Sequence, residues 1–278
     1  MFSPWLVLLY FLLLCIRPFR RIWAVMLPWL VFACSYDALR LFPNYTFNDI
    51  DIRTLYDAEK ALFGIVSDGV RMIPGEYFAR HHHAAADFLA GIFYLCWVPV
   101  PLGFAFWLAL TGKRREAARF SWAFLTVNLV GFCGYYLHPA AAPWYVMQHG
   151  FEAVEGTLSS SAGLARWDAM TGTRVFHFLY GQNSNVFAAV PSLHAAYVFT
   201  AFIYAWKFRA GKAVTAVFAV ITLGIWWTAV YTGHHYVIDV LLGILTALIG
   251  TGLTEFFWHS ARIFLPLHHS NKRDEIQK

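Results

Sequence analysis

Seven stretches of this chain are almost free of charge and long enough to avoid water. They are 2–16, 22–36, 88–110, 120–137, 186–206, 213–230 and 237–258. In a bilayer every backbone N–H and C=O must be satisfied within the segment, so runs of this length and polarity fold as helices. Composition agrees: 59% of the 278 residues are hydrophobic and only 13% are charged, about half of what a soluble domain carries. The expected fold is therefore an all-α polytopic membrane protein. It has a six-helix transmembrane core, with the short run 2–16 as a candidate seventh segment.

Lys and Arg collect at 17–21, 113–119, 207–212 and 272–273 and alternate with two long polar loops. Positive charge marks cytoplasmic loops, so residues 39–83 and 138–185 are expected outside. The predicted layout is a single membrane domain. N-terminal membrane segments occupy 1–38 and an outer amphipathic region 39–83; a helix core occupies 84–258 and a cytoplasmic tail 259–278. Asp and Glu alternate with Leu55, Leu62, Phe63 and Ile65 as in a helix lying at the interface. Pro99 and Pro101 should kink the 88–110 helix. The net charge of +5 is small and carries no basic–aromatic array, so no nucleic-acid partner is expected. Cys15, Cys34, Cys96 and Cys133 lie singly inside apolar runs and read as small packing residues. Met1–Ile16 lacks a basic start and a small-residue cleavage site, and reads as retained.

On this topology His138 ends a span, and His194 and His235 each begin one, all at the outer face. His235 and Asp239 are four apart, which puts them on one side of a helix start. A carboxylate there can hold imidazole Nδ1–H and leave Nε2 as a nucleophile or base. For displacement at phosphorus, His235 attacks, Asp239 orients it, and His194 protonates the leaving oxygen and then deprotonates the incoming hydroxyl. Pro191-Ser192 opens the His194 helix, so Ser192 is a candidate anion ligand. A proton relay in a transporter remains an alternative, although no internal repeat accompanies it.

The run Phe187-Ala-Ala-Val-Pro-Ser-Leu-His-Ala-Ala-Tyr197 and the run His234-His-Tyr-Val-Ile-Asp-Val240 resemble two motifs of the type 2 phosphatidic acid phosphatase superfamily. The likeness is greatest to its inositol phosphorylceramide synthase-like branch and the bacterial members of that branch. Tyr136-Leu-His-Pro-Ala-Ala-Ala-Pro-Trp144 and Leu62-Phe-Gly64 after Glu59 resemble further motifs of the branch, so the likeness covers about residues 50–250. It implies a six-helix core and no metal or organic cofactor. It also implies the same roles for His235, His194 and Asp239, and adds His234 and Trp144 to the substrate side.

Thr228-Ala229 stands where the phosphatase branch has Ser-Arg, and His138-Pro139 lacks an upstream lysine. A phosphate monoester carries nearly two charges and a diester one, so a cradle poor in cations suits a diester. The expected reaction moves a phosphorylated head group, most naturally phosphoinositol, from a phospholipid donor to a ceramide-like or other lipid-alcohol acceptor. A phosphohistidine is the intermediate, and lipid phosphate hydrolysis is the alternative. Further candidate substrate contacts are Arg166, Arg174, and the set His83, Asp87 and Tyr94 at a span start. His81-His82-His83 offers no shared helical face to a metal.

Overall fold

The first apolar run forms α1 (Ser3–Cys15), and the second divides into α2 (Arg20–Val25) and α3 (Leu27–Ala38), which carries Pro28 in its first turn. The region 39–83, expected outside, is more structured than its alternating charge predicts. An amphipathic helix α4 (Arg53–Phe63) buries Leu55, Tyr56 and Glu59. A hairpin of β1 (Ile65–Ser67) and β2 (Val70–Met72) and a short α5 (Pro74–Arg80) follow. Then come α6 (Ala84–Leu95), α7 (Pro99–Leu110) and α8 (Arg114–Leu137). The second outer region holds α9 (Pro143–His149), α10 (Ala165–Thr171) and α11 (Val175–Gly181). The chain closes with α12 (Leu193–Lys207), α13 (Lys212–Tyr231) and α14 (Val237–Phe264). This computed structural model describes residues 3–17, 19–154, 156–183 and 185–264; most of the expected tail lies outside the described residues.

Among the described residues, α8, α13 and α14 are each long and apolar enough to cross a bilayer, and α6 with α7 forms a fourth, broken unit bent by 42°. The break falls just before Pro99, which has no N–H for a helical bond. The protein is thus a mostly helical integral membrane protein. Leu241, Leu245, Leu248, Ile249 and Phe256 of α14 and Val217, Val220 and Leu223 of α13 face outward, a surface that suits lipid and not water.

One expected span changes. The run 186–206 is helical only from Leu193, and α12 is 15 residues long, about 22 Å at 1.5 Å per residue. Pro191 drives the residue before it away from helical geometry. Upstream, Ala188 pairs with Ala140, which in turn pairs with Asp51. Residues 186–192 therefore form a folded floor that ties both outer regions together.

Helix α12 lies between α13 and α14, and α8 packs along α14 and α3. Trp29, Phe104, Phe120, Phe124, Tyr197 and Tyr204 fill the core between these helices. Helix α14 approaches α12 and α8 through two glycines. A Cβ on Gly243 would stand 2.2 Å from Ser192 O, and one on Gly250 would stand 2.6 Å from Val127 Cγ2. At the Lys207 end of α12, Arg119 and Lys207 both pair with Glu255, which also accepts from Tyr204 Oη at 2.8 Å. His194 lies at the opposite end of that helix, about 20 Å away.

Candidate active site

The loop Thr232-Gly233-His234-His235-Tyr236 turns α13 into α14, with Gly233 at φ +72°, a left-handed conformation that glycine adopts without strain. Backbone amides of His234 and His235 both return to Ala229 O, which sets the two rings at the start of α14. Asp239, one turn on, is fully buried; its Oδ2 accepts from Tyr236 N at 2.9 Å and lies 3.3 Å from His235 Nδ1. Ala189 O lies 3.1 Å from the same Nδ1. A carbonyl cannot donate, so Nδ1 carries the proton and Nε2 of the neutral ring keeps its lone pair.

His194, on the first turn of α12, meets that lone pair: its Nδ1 is 3.1 Å from His235 Nε2. The bond requires His194 to carry its proton on Nδ1. Tyr94 and Trp97 flank the His194 ring at centroid distances of 4.8 and 4.6 Å. Chemically, the arrangement can pair a nucleophile of defined tautomer with a proton carrier. Asp239 Oδ1, also buried, has no partner among the described residues, so the carboxylate favours any positive charge that develops on His235.

Both rings open into a cavity of about 70 Å³, lined also by Tyr36, Trp144, Asn183 and Asn185. Among the described residues no lysine or arginine lines it. His234 lies on the same wall, stacked on Tyr180 at 4.5 Å. Burial, with smaller contributions from the neighbouring His235 and Arg166, pushes His234 down to about 3, so it is neutral at physiological pH.

The other expected contacts scatter. Ser192 is buried and its Oγ caps α12 by accepting from Ala195 N at 3.3 Å, so its hydroxyl serves the helix and not the cavity. His138 is half exposed and pairs with Asp51 at 3.2 Å. Arg166 does not reach the cavity: Nε donates to Asp87 Oδ1 at 2.7 Å, and the side chain lines a separate recess beside Trp144. Arg174 is exposed just ahead of α11. Asp87 takes Tyr231 Oη at 2.9 Å and His82 Nδ1 at 3.1 Å, while His83 is exposed and contributes backbone groups, its N–H to Tyr231 Oη and its carbonyl to Asp87 N. His81 turns to Tyr77 O, so the three consecutive histidines point to different partners. Tyr94 is a site wall, its hydroxyl accepting from Tyr180 Oη at 2.7 Å.

Several groups around the pair carry no sequence signal of their own. Ala189 contributes only a carbonyl, Asn183 and Asn185 sit in a loop of unremarkable composition, and Tyr180 lies near the end of α11. Glu59 of α4 accepts from Val237 N at 2.9 Å and Ile238 N at 3.2 Å, the first free amides of α14. Burial raises the Glu59 carboxyl above its ordinary range, although those two amides pull it back.

A phosphoinositol dihydroceramide synthase of Bacteroides thetaiotaomicron is 52% identical over 233 residues, 84% of this chain and 76% of the relative. An inositol phosphorylceramide synthase of Candida albicans is 30% identical over 171 residues, 58% of this chain and 36% of the relative. The inositol phosphorylceramide synthase catalytic subunit of Schizosaccharomyces pombe is 25% identical over 238 residues, 83% of this chain and 53% of the relative. This chain thus spans about a third to a half of the fungal proteins. No solved structure matches it. Residues 69–253, which hold both histidines and Asp239, match the PAP2 superfamily, and the chain belongs to that superfamily.

Proposed function

We propose that the protein transfers a phosphoinositol head group from a glycerophospholipid to a ceramide-like lipid alcohol through a phosphohistidine on His235. The observation that carries this reading is the 3.1 Å contact between His194 Nδ1 and His235 Nε2 in a cavity that no lysine or arginine lines among the described residues. The name of the Bacteroides relative supports the choice of substrates.

The chemistry follows from the tautomers. When the anionic diester enters between the rings, its charge favours a second proton on His194. His235 Nε2 attacks phosphorus, the bond from phosphorus to the diacylglycerol oxygen breaks, and His194 Nδ1–H protonates that oxygen. Diacylglycerol leaves. Asp239 and Ala189 O then hold the phosphorylated, cationic imidazole. The acceptor hydroxyl gives its proton to His194 and attacks phosphorus, and the bond to Nε2 breaks. The phosphate itself carries a single negative charge at every stage, which fits a cavity that no lysine or arginine lines among the described residues.

The lipid tails have a route. An apolar cavity of about 580 Å³ lies between α3, the α6–α7 break and α11, lined by Phe32, Leu95, Val98 and Leu179. Through Tyr36, Trp97 and Leu179 it adjoins a recess that His194 also lines. Substrates reach the site sideways from the membrane. We further propose six spans, with α3 and α12 completing the set made by the four longer units, and a site on the non-cytoplasmic face. Lys207, Arg209 and Lys212 cluster at the end of α12 away from His194, which supports that orientation.

A head-group exchange assay in detergent, with label in the inositol, tests the reading. Labelled sphingolipid is the expected product. Labelled inositol phosphate released to water would mean hydrolysis, and no turnover with either would remove the enzyme assignment.

A further inference from the structure

Asn185 has no part in the chemistry above, yet it is only 8% exposed and its Nδ2 is buried with no partner among the described residues. Which end of the carboxamide is nitrogen is settled locally. Oδ1 accepts from Phe187 N at 3.1 Å, and a backbone amide can only donate. Among the described residues its two N–H groups are therefore left without an acceptor in a buried position, which is costly unless a ligand supplies one.

The surroundings say which ligand. Asn185 stands on the wall shared by the histidine cavity and an adjoining cavity of about 210 Å³. Beside it Asn183 is held from both sides: Oδ1 accepts from Tyr36 Oη at 2.9 Å, and Nδ2 donates to Ser159 Oγ at 3.0 Å. From Asn185 to Ala189, whose carbonyl holds His235 Nδ1, is four residues, at most about 13 Å when extended. The turn at 186–187 shortens that span. A group attached to a phosphorus on His235 Nε2 would extend over this distance. Among the described residues neither cavity is lined by an acidic side chain, and Arg40 lines the second. The faces of Trp97 and Tyr180 lie against His194 and His234, so they offer no open aromatic cage. Carboxamides and hydroxyls match an uncharged polyol.

We propose that Asn185 is a specificity-determining residue that donates through Nδ2 to a hydroxyl oxygen of a polyol head group. The Tyr36–Asn183–Ser159 chain keeps that wall in place. The inference rests on the head-group transfer reading and names the subsite that reads the head group.

The test uses the full chain in detergent, with thermal-shift titrations of myo-inositol 1-phosphate and of inorganic phosphate. Wild type should bind the inositol phosphate about tenfold or more tightly than phosphate, the factor expected of one well-made hydrogen bond to a buried group. Asn185→Ser and Asn185→Thr keep an oxygen that can accept from Phe187 N in the same kind of turn and lose the amide. Both should bind phosphate as wild type does and lose the preference for the inositol phosphate. A preference retained in either folded variant, or absent from wild type, overturns the proposal. Deoxy-inositol phosphates on wild type give a mutation-free measurement: removal of one particular hydroxyl should cost the same tenfold, and an unchanged series overturns it equally. A protein that prefers inositol phosphate yet releases head group to water would keep this subsite and lose the transfer reading.

Discussion

Glu59 and Val237 are 178 residues apart, yet Glu59 Oε1 accepts from Val237 N at 2.9 Å. The carboxylate reaches from α4, in the first outer region, to the start of α14, two residues past His235. It satisfies two amides that a helix start leaves open and places negative charge at the positive end of the helix dipole. The outer region is therefore part of the site's frame.

Removing this strut has a defined consequence. Glu59→Ala leaves two buried amides without acceptors, a loss of about 1–3 kcal/mol. The variant should melt several degrees lower in detergent and turn over about tenfold or more slowly, while Glu59→Gln, which keeps one acceptor oxygen, should lie between. An unchanged melting temperature together with unchanged turnover in Glu59→Ala would show that α14 starts correctly without it.

The histidine pair should separate by role. His235→Ala should abolish transfer and any labelled phosphoenzyme. Asp239→Asn keeps the shape but can present N–H to Nδ1 in place of a carboxylate, so it should retain residual turnover lowered by roughly 10²–10⁴. His194→Ala should slow both steps. Acid-labile label on His235 in wild type, read by mass spectrometry after a quench with donor alone, is the direct check; its retention in His235→Ala would place the nucleophile elsewhere.

Acid should destabilise the fold through His234. Its folded value of about 3 lies below the ordinary histidine value near 6.5, so between those limits the unfolded chain binds a proton that the folded one does not. Stability from this group is full above about 6.5 and is lost as pH falls toward 3. Glu59, raised by burial, acts with the opposite sign over its own range. Melting temperatures from pH 7 to pH 4.5 should fall less steeply in His234→Asn than in wild type, and parallel slopes would remove His234 as the cause.

At the far end of the bundle, Glu255 holds Arg119, Lys207 and Tyr204 together. Glu255→Gln should lower the melting temperature by a few degrees, because two cations lose their counter-charge. The site is about 20 Å away, so the turnover of folded protein should stay within about twofold. A large fall in turnover without a fall in melting would mean that the clasp communicates with the histidines.

The sequence by itself determined the helical, membrane-embedded character and the local chemistry of the α14 start. Apolar runs dictate helices because lipid offers the backbone no partner, and four-residue spacing puts His235 and Asp239 together wherever the helix lies. Pro99 likewise marks the helix break from local geometry alone. What the linear pattern did not contain was pairing between distant groups. Arg166 reads as a loop cation free to meet phosphate, but Asp87 claims it; His83 shares the register of Asp87, but His82 takes the bond. Ser192 faces its own helix, and the run 186–192 becomes a floor in place of a turn of helix because Ala140 supplies a pairing partner. Asn185 and the Ala189 carbonyl gain meaning only beside His235. These outcomes depend on which donor meets which acceptor, at separations from 3 to 79 residues, and only the packed tertiary structure sets those distances.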